Sequence, residues 1–177
     1  MIARTETVLR KLREGQIDMG IVESLGIDEK FFAEALAEDE IVLIGPENHP
    51  LAAKKTIVFQ DFMTQSFILP GSGSGTRALV DDFFKAQGID MRRLNVRMTV
   101  DGPEFVVQMV QAGLGIAFAS KWSVFSAVKE GTVKLLPMTG KKILRKFYLV
   151  TKDREPSSAA AQIFKEFIKQ HRFFIPF

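Results

Sequence analysis

The chain contains no cysteine among its 177 residues. This absence excludes a disulfide framework and a thiolate zinc site, and it fits a reducing compartment. Long apolar runs are also missing, since no stretch approaches the ~20 residues that a membrane-spanning helix needs. The first thirteen residues carry charges throughout and lack the apolar centre of a signal peptide. We therefore expect a cytoplasmic protein with no membrane contact.

Residues that usually carry catalysis are scarce. The chain has two histidines; His49 precedes Pro50 in a turn, and His171 lies near the C-terminus. We interpret His49 as a turn or capping residue. There is no HExxH motif, no pair of carboxylates at metal-ligand spacing and no nucleophile elbow with its partners. The sequence predicts a protein that is not an enzyme and has neither a cofactor nor a metal site.

Positive charge is in small excess over negative charge. The 24 basic residues exceed the 21 acidic residues by three, which is too little to predict nucleic-acid binding by this chain. One basic cluster lies between two predicted strands and is interpreted as a solvated turn, with polyanion contact as the alternative. Its members are Lys141, Lys142, Arg145 and Lys146.

Helices and strands alternate along the chain. A helix is predicted over residues 7–14 with an apolar face, followed by strands at 17–22 and 38–45. This alternation predicts an α/β fold with mostly parallel sheets.

The C-terminal part is predicted to end in an amphipathic helix. Ser157 or Ser158 is expected to cap it, and its apolar side chains are expected to face inward: Ile163, Phe164, Phe167 and Ile168. The tail at 173–177 is too apolar to extend into water, so we expect it to fold back on the domain or to lie in a subunit interface.

Residues 66–88 carry the strongest local signal. They predict a short strand, a glycine-rich loop at 70–75 and a helix at 76–87. The interleaved hydroxyls of Ser72, Ser74 and Thr76, together with a helix N-terminus and the guanidinium of Arg77, favour a small anion. A plain turn between strand and helix is an equally good interpretation. The loop is not a Walker A motif, because no Lys-Ser/Thr follows the glycines.

A second helix start follows the alternating strand at 94–100. Asp101 and Glu104 match the spacing of a capping box, with Pro103 in the first turn. Because ligands bind at the carboxyl ends of parallel strands, this helix start and the glycine loop are predicted to converge on one cleft. Capping alone is the other interpretation of Asp101.

Taken in order, five stretches resemble the effector-binding domain of LysR-type transcriptional regulators. They are residues 5–23 (TETVLRKLREGQIDMGIVE), 46–52 (PENHPLA), 67–84, 110–119 (VQAGLGIAFA) and 147–150 (FYLV). The resemblance implies two Rossmann-like lobes of the type 2 periplasmic-binding-protein class, with a small-molecule effector in the cleft between them. Lobe I is placed at 1–57 plus 153–177, truncated at its N-terminus and lacking its first strand and helix, and lobe II at 58–152.

The same resemblance implies which residues contact the effector, expected here to be anionic. They are Gly45, Pro46, Ser72, Gly73, Ser74, Thr76, Arg77 and Asp101. It also implies a homodimer or higher homo-oligomer, in which Val8 and Leu12 of one chain pack on Val80 and Phe84 of the other. DNA is expected to be contacted only through an N-terminal winged helix-turn-helix domain that this chain lacks. An oxyanion-binding solute receptor is the first alternative, and an enzyme on a similar scaffold is the second.

Overall fold

The computed structural model describes residues 1, 3, 5–23, 29–138 and 140–171, with the side chains of Phe59 and Phe62 left out. The predicted docking of the tail at 173–177 lies outside the described residues. The chain forms two compact units. The first unit comprises the described residues of Met1–Asp39 and Arg145–Pro176, and the second unit is Glu40–Leu144.

The described residues form six α-helices and seven strands. The helices are α1 (Thr5–Arg13), α2 (Phe59–Phe62), α3 (Gly75–Ala86), α4 (Pro103–Gln111), α5 (Lys121–Lys129) and α6 (Ala159–Gln170). The strands are β1 (Met19–Glu23), β2 (Phe32–Pro46), β3 (Ser66–Pro70), β4 (Asn95–Val100), β5 (Ile116–Ser120), β6 (Val133–Leu135) and β7 (Ile143–Thr151). The alternation predicted from the sequence, and with it the α/β class, is confirmed.

The first unit has the strand order β1-β7-β2. β1 and β7 run antiparallel, with Gly20 opposite Val150. The apolar face predicted for α1 packs on this sheet, where Leu12 is buried with Val22 and Val150. Gly20 is needed at the contact, because a Cβ atom there would overlap the side chain of Val8.

The inward face of α6 differs from the one predicted. Ser158 caps the helix as expected, accepting a hydrogen bond from the backbone N–H of Ala161 (3.2 Å). Ile168 is buried, but Ile163 is 72% exposed and Phe164 and Phe167 are each 50% exposed. The buried face instead follows the helical repeat of Ala161, Lys165 and Ile168. Lys165 lies on it because its ammonium group pairs with acidic partners within the unit.

The basic cluster at 141–146 is also corrected at one position. Arg145 is not solvated: its side chain is only 10% exposed, and it forms ion pairs of 2.7 Å with Glu23 and with the fully buried Asp39. Its guanidinium group also stacks over the ring of Phe147, 4.8 Å from the ring centroid. Lys141, Lys142 and Lys146 are exposed, as predicted.

The second unit has a mixed sheet with the order β2-β5-β3-β4, and β6 pairs with β2. β3 is parallel to both β4 and β5, whereas β2 is antiparallel to β5 and to β6. The prediction of a mostly parallel sheet therefore holds only for β5, β3 and β4. An apolar run indicates that a strand is buried on both faces, but it carries no information about direction.

Both faces of this sheet are covered. Along β3, Phe67 and Leu69 belong to one apolar cluster and Ile68 to the other. The first cluster packs under α3, where the Phe84 and Phe118 rings meet edge to face at 5.5 Å. The second lies under α4 and α5. This arrangement fixes the ends of the strands relative to the helices that follow them.

The observed boundaries fall between Asp39 and Glu40 and between Leu144 and Arg145, earlier than the boundaries predicted at 57 and 152. The difference arises because β2 and β7 are long strands that each contribute to both units. A sequence pattern marks where such a strand ends, not where it passes from one unit to the next.

The four side chains predicted to form the dimer contact lie in the chain's own core. Val8 and Leu12 are buried in the first unit, and Val80 and Phe84 are buried in the second. A side chain that is already packed inside its own chain is not available to a partner. The assignment of these four residues to an interface is therefore corrected, and any contact through α1 and α3 has to use their exposed residues.

Candidate functional site

The carboxyl ends of the three parallel strands lie at one edge of the second unit. The registers place Pro70 of β3 beside Val100 of β4, and Ile68 of β3 beside Ala117 of β5. Each of these strands is followed by a helix, so the N-termini of α3, α4 and α5 lie along this edge, with α3 in the middle. Unpaired N–H groups and the positive ends of the helix dipoles make such an edge favourable for an anion.

The central loop is built as the sequence predicts. The backbone N–H of Gly71 donates to the carbonyl of Val100 (3.0 Å), which ties the loop to the neighbouring strand. Ser74 closes a turn by donating its N–H to the carbonyl of Gly71 (2.9 Å), and it is the N-cap of α3. Ser72 and Gly73 are exposed, and Thr76 is half-buried at the start of the helix. The predicted order of strand, loop and helix is confirmed.

Arg77 is held in place at the first turn of α3. Its Nε donates to Oδ1 of Asp81 (2.7 Å), and its Nη1 donates to the carbonyl of Pro70 (3.3 Å). These contacts fix the guanidinium plane beside the loop. Asp81 is therefore a positioning residue that sequence reasoning did not assign to the site, although its i, i+4 spacing from Arg77 is a signal that could have indicated the pair.

Asp101 lies beside the first glycine of the loop. A Cβ atom at Gly71 would overlap Oδ1 of Asp101, so the carboxylate rests directly against the Cα of Gly71. The capping interpretation of Asp101 is wrong, because the N-cap of α4 is Gly102 (φ 90°) and no side chain bonds to that cap. Glycine takes this position because few other residues adopt a positive φ. The Asp101 carboxylate is exposed and is not used by the helix.

The third helix start was missed by the sequence analysis. Ser120 accepts a hydrogen bond at Oγ from the N–H of Ser123 (3.3 Å), and the Ser123 hydroxyl donates to the carbonyl of Ser120 (2.8 Å). Lys121 follows at the first position of α5 and lies 3.6 Å from Glu40, which also pairs with Lys142 at 3.3 Å. The signal available was a serine at the end of a buried apolar strand.

Gly45 and Pro46 lie at the opposite edge of the sheet from the glycine loop. Ile44 pairs with Ala117 near the start of β5, so the end of β2 is at the amino edge of the parallel strands. At ~3.3 Å per residue this is about 15 Å from the glycine loop. The structure brings Ser72, Gly73, Ser74, Thr76, Arg77 and Asp101 together at one edge, and it places Gly45 and Pro46 at the other. The antiparallel direction of β2 is the reason.

The opposite edge contains an open cavity of about 430 Å³. Pro46 and His49 line it, together with Gln111 and Thr132. His49 caps the short helix at Pro50–Ala53, since its Nδ1 accepts from the N–H of Leu51 (3.2 Å). Burial lowers the pKa of His49, opposed by a hydrogen bond with Gln65. The interpretation of His49 as a capping residue is confirmed.

In the described part of the chain, no group of three or more histidine, aspartate or glutamate side chains could hold a metal ion. No described helix is long and apolar enough to cross a membrane.

The family model of the LysR substrate binding domain matches residues 1–172. This chain belongs to that family. A curated relative, an uncharacterized HTH-type transcriptional regulator of Methanocaldococcus jannaschii, is 30% identical over 94% of the chain and 56% of its own length. The chain spans about half the length of the curated relatives it matches. The resemblance stated from the sequence motifs is confirmed, and the matches favour it over an oxyanion-binding solute receptor.

Two solved structures share the fold of this LysR domain. The CcmR regulatory domain of Synechocystis PCC6803, in complex with 2-PG, superposes with a TM-score of 0.82 at 23% identity, over 95% of this chain and 79% of that one. The effector binding domain of QuiR, in complex with shikimate, gives a TM-score of 0.78 at 26% identity, over 97% and 81%. The fold class of type 2 periplasmic binding proteins is thereby established for the LysR domain.

Proposed function

We propose that this LysR domain binds a small anionic effector at the carboxyl edge of its second unit and regulates transcription in response. The observation that carries the proposal is the convergence of three helix N-termini on one edge, with a glycine-serine loop and a fixed arginine in their midst. Two structural neighbours, CcmR with 2-PG and QuiR with shikimate, are each in complex with a small molecule, which supports a ligand-sensing role.

The roles of the residues follow from their chemistry. The hydroxyls of Ser72 and Ser74 and the backbone N–H groups of Ser72 and Gly73 are donors at the start of a helix, where negative charge is stabilised. Arg77 offers a planar fork of donors that suits a carboxylate or phosphate. Asp81 keeps this fork oriented before the ligand arrives, so that less conformational entropy is lost on binding.

The response is a shift between conformational states. A ligand that binds one state of the regulator more tightly increases the population of that state. The ligand then changes the affinity for DNA, and DNA changes the affinity for the ligand by the same factor. DNA binding is assigned to a winged helix-turn-helix domain outside this chain, which is supported by the HTH type of the relative from M. jannaschii. We infer that the domain has no enzymatic activity, that it works in the cytoplasm where DNA is bound, and that it contacts no membrane.

The regulator is also proposed to be a homodimer or higher homo-oligomer. Because the core residues of α1 and α3 are occupied, the contact surface would consist of exposed residues on these helices, such as Arg10 and Lys85. Light scattering during size-exclusion chromatography measures the mass of the particle. A monomer at all concentrations would contradict this part of the proposal.

The effector site is tested by a thermal-shift screen of the chain against small carboxylates, phosphate esters and inorganic oxyanions. A ligand at a hundredfold excess over its Kd stabilises the native state by about 2.7 kcal/mol. At ~2–4 °C per kcal/mol for a chain of this size, the shift is about 5–10 °C. Arg77→Ala is expected to abolish it, and Arg93→Ala, an exposed arginine of the second unit that lies outside α1 and α3, is the matched control. Equal shifts in wild type and Arg77→Ala would overturn the proposed site.

A further inference from the structure

We infer that Asp101 makes this site selective for anions that also carry a hydroxyl or ammonium donor, such as hydroxy acids and amino acids, over anions without one. The inference rests on the effector site proposed above and names the class of ligand for it. It depends on where the Asp101 carboxylate lies and on what it contacts.

The carboxylate is fixed beside the ligand-binding loop. A backbone hydrogen bond of 3.0 Å joins Gly71 to Val100. Asp101 directly follows Val100, so this bond holds its backbone close to the start of the loop. The space that a side chain at Gly71 would take is filled by Oδ1 of Asp101. Glycine at this position therefore accommodates an acid that reaches over the loop.

The chain itself does not use this carboxylate. The helix that follows is capped at Gly102, without help from a side chain. Within the described residues, Asp101 forms neither a hydrogen bond nor an ion pair, and its side chain is exposed. By contrast, Arg77 on the same edge is paired with Asp81, and Glu40 is paired with two lysines. Asp101 is thus an acceptor left available at the site.

An ionised carboxylate only accepts hydrogen bonds. A simple anion bound at the loop has no donor to offer and is repelled by the negative charge at short range. An anion with a neighbouring hydroxyl or ammonium group donates a charge-assisted hydrogen bond to Asp101, so the same residue becomes attractive. A hydrogen bond to a charged group corresponds to about a 10- to 100-fold difference in Kd between the two ligand types.

Matched probes isolate this effect. Isothermal titration of the chain compares lactate with propionate, which differ by one hydroxyl, and alanine with propionate, which differ by one ammonium group; shikimate and sulfate are added as a hydroxylated and a donor-free anion. In wild type we expect the ligand with donors to bind more tightly in each comparison. In Asp101→Asn, which keeps the shape and removes the charge, sulfate and propionate should gain affinity and the lactate-to-propionate ratio should fall at least tenfold. Glu104→Gln removes a nearby charge and should leave that ratio unchanged.

The outcomes separate this inference from the proposed site. If Arg77→Ala abolishes binding but Asp101→Asn leaves the ratio unchanged, the site stands and the role of Asp101 is refuted. If no probe binds to wild type, or if Arg77→Ala binds as wild type does, the site fails and the inference fails with it. If Glu104→Gln changes the ratio as much as Asp101→Asn does, the selectivity comes from net charge and the specific role of Asp101 is refuted.

Discussion

Replacing Arg145 by methionine should destabilise the first unit strongly. The guanidinium group is 10% exposed and pairs at 2.7 Å with Asp39, whose side chain is fully buried. Oδ1 of Asp39 already lacks a hydrogen-bond partner among the described residues. In Arg145→Met, Oδ2 loses its partner as well, so a buried carboxylate is left uncompensated, and breaking a buried pair in this way costs about 3–5 kcal/mol. Glu23 contributes less, because its side chain is 24% exposed and water replaces the lost contact.

The loss is measurable by urea unfolding followed by circular dichroism. A cost of ~3–5 kcal/mol corresponds to a fall in Tm of about 6–20 °C for a chain of this size. The double variant Asp39→Asn/Arg145→Met should recover part of the loss, because the uncompensated charge is removed with its partner. Lys146→Met, an exposed neighbour, should change the stability by less than ~0.5 kcal/mol. A cost below ~1 kcal/mol for Arg145→Met, or strict additivity in the double variant, would refute this reasoning.

Three further changes are informative. Gly71→Ala places a methyl group where the Asp101 carboxylate lies and displaces it, so the lactate-to-propionate affinity ratio should fall as in Asp101→Asn; an unchanged ratio would contradict the observed contact. The pKa of His49 is lowered in the folded chain by burial, so the unfolded state binds the proton more readily. Stability should therefore fall as the pH drops below ~6.5, and in His49→Asn the pH dependence of urea midpoints between pH 5 and 8 should be shallower. Lys165→Ala should lower the free energy of unfolding by about 1–2 kcal/mol, a limited loss because Glu34 is 43% exposed and regains water. Lys165→Met should leave that free energy nearly unchanged, since it keeps the buried stem.

The local structure around the loop was predictable because its signals are local. Glycines and hydroxyl residues after a short apolar run specify a strand, a turn and a helix start within about ten residues. Asp101 shows where such signals compete: a capping-box spacing was present, but Gly102 adopts a positive φ and takes the cap itself. The spacing alone does not decide which of two adjacent residues caps a helix.

Errors at longer range came from information that the sequence pattern does not carry. The direction of β2 depends on its partners in the sheet, and this direction moved Gly45 and Pro46 away from the loop. The buried face of α6 was misjudged because the burial of Lys165 depends on acidic groups far away in the sequence, such as Glu34. The ion pair of Arg145 with Asp39 spans 106 residues, a separation at which charge patterns give no signal.

The second unit is inserted into the first, and this order has a consequence for synthesis on the ribosome. β1 leaves the ribosome before the inserted segment, and the part of β7 that pairs with it, Phe147–Thr151, follows only after the whole of Glu40–Leu144 has been made. At ~5–20 residues per second, β1 waits on the order of 5–20 s for its partner strand. During that time an unpaired strand edge is exposed to other nascent chains. Slow codons within the inserted segment would lengthen this interval, so the yield of folded protein should depend on the translation rate there more than in the segment after Thr151.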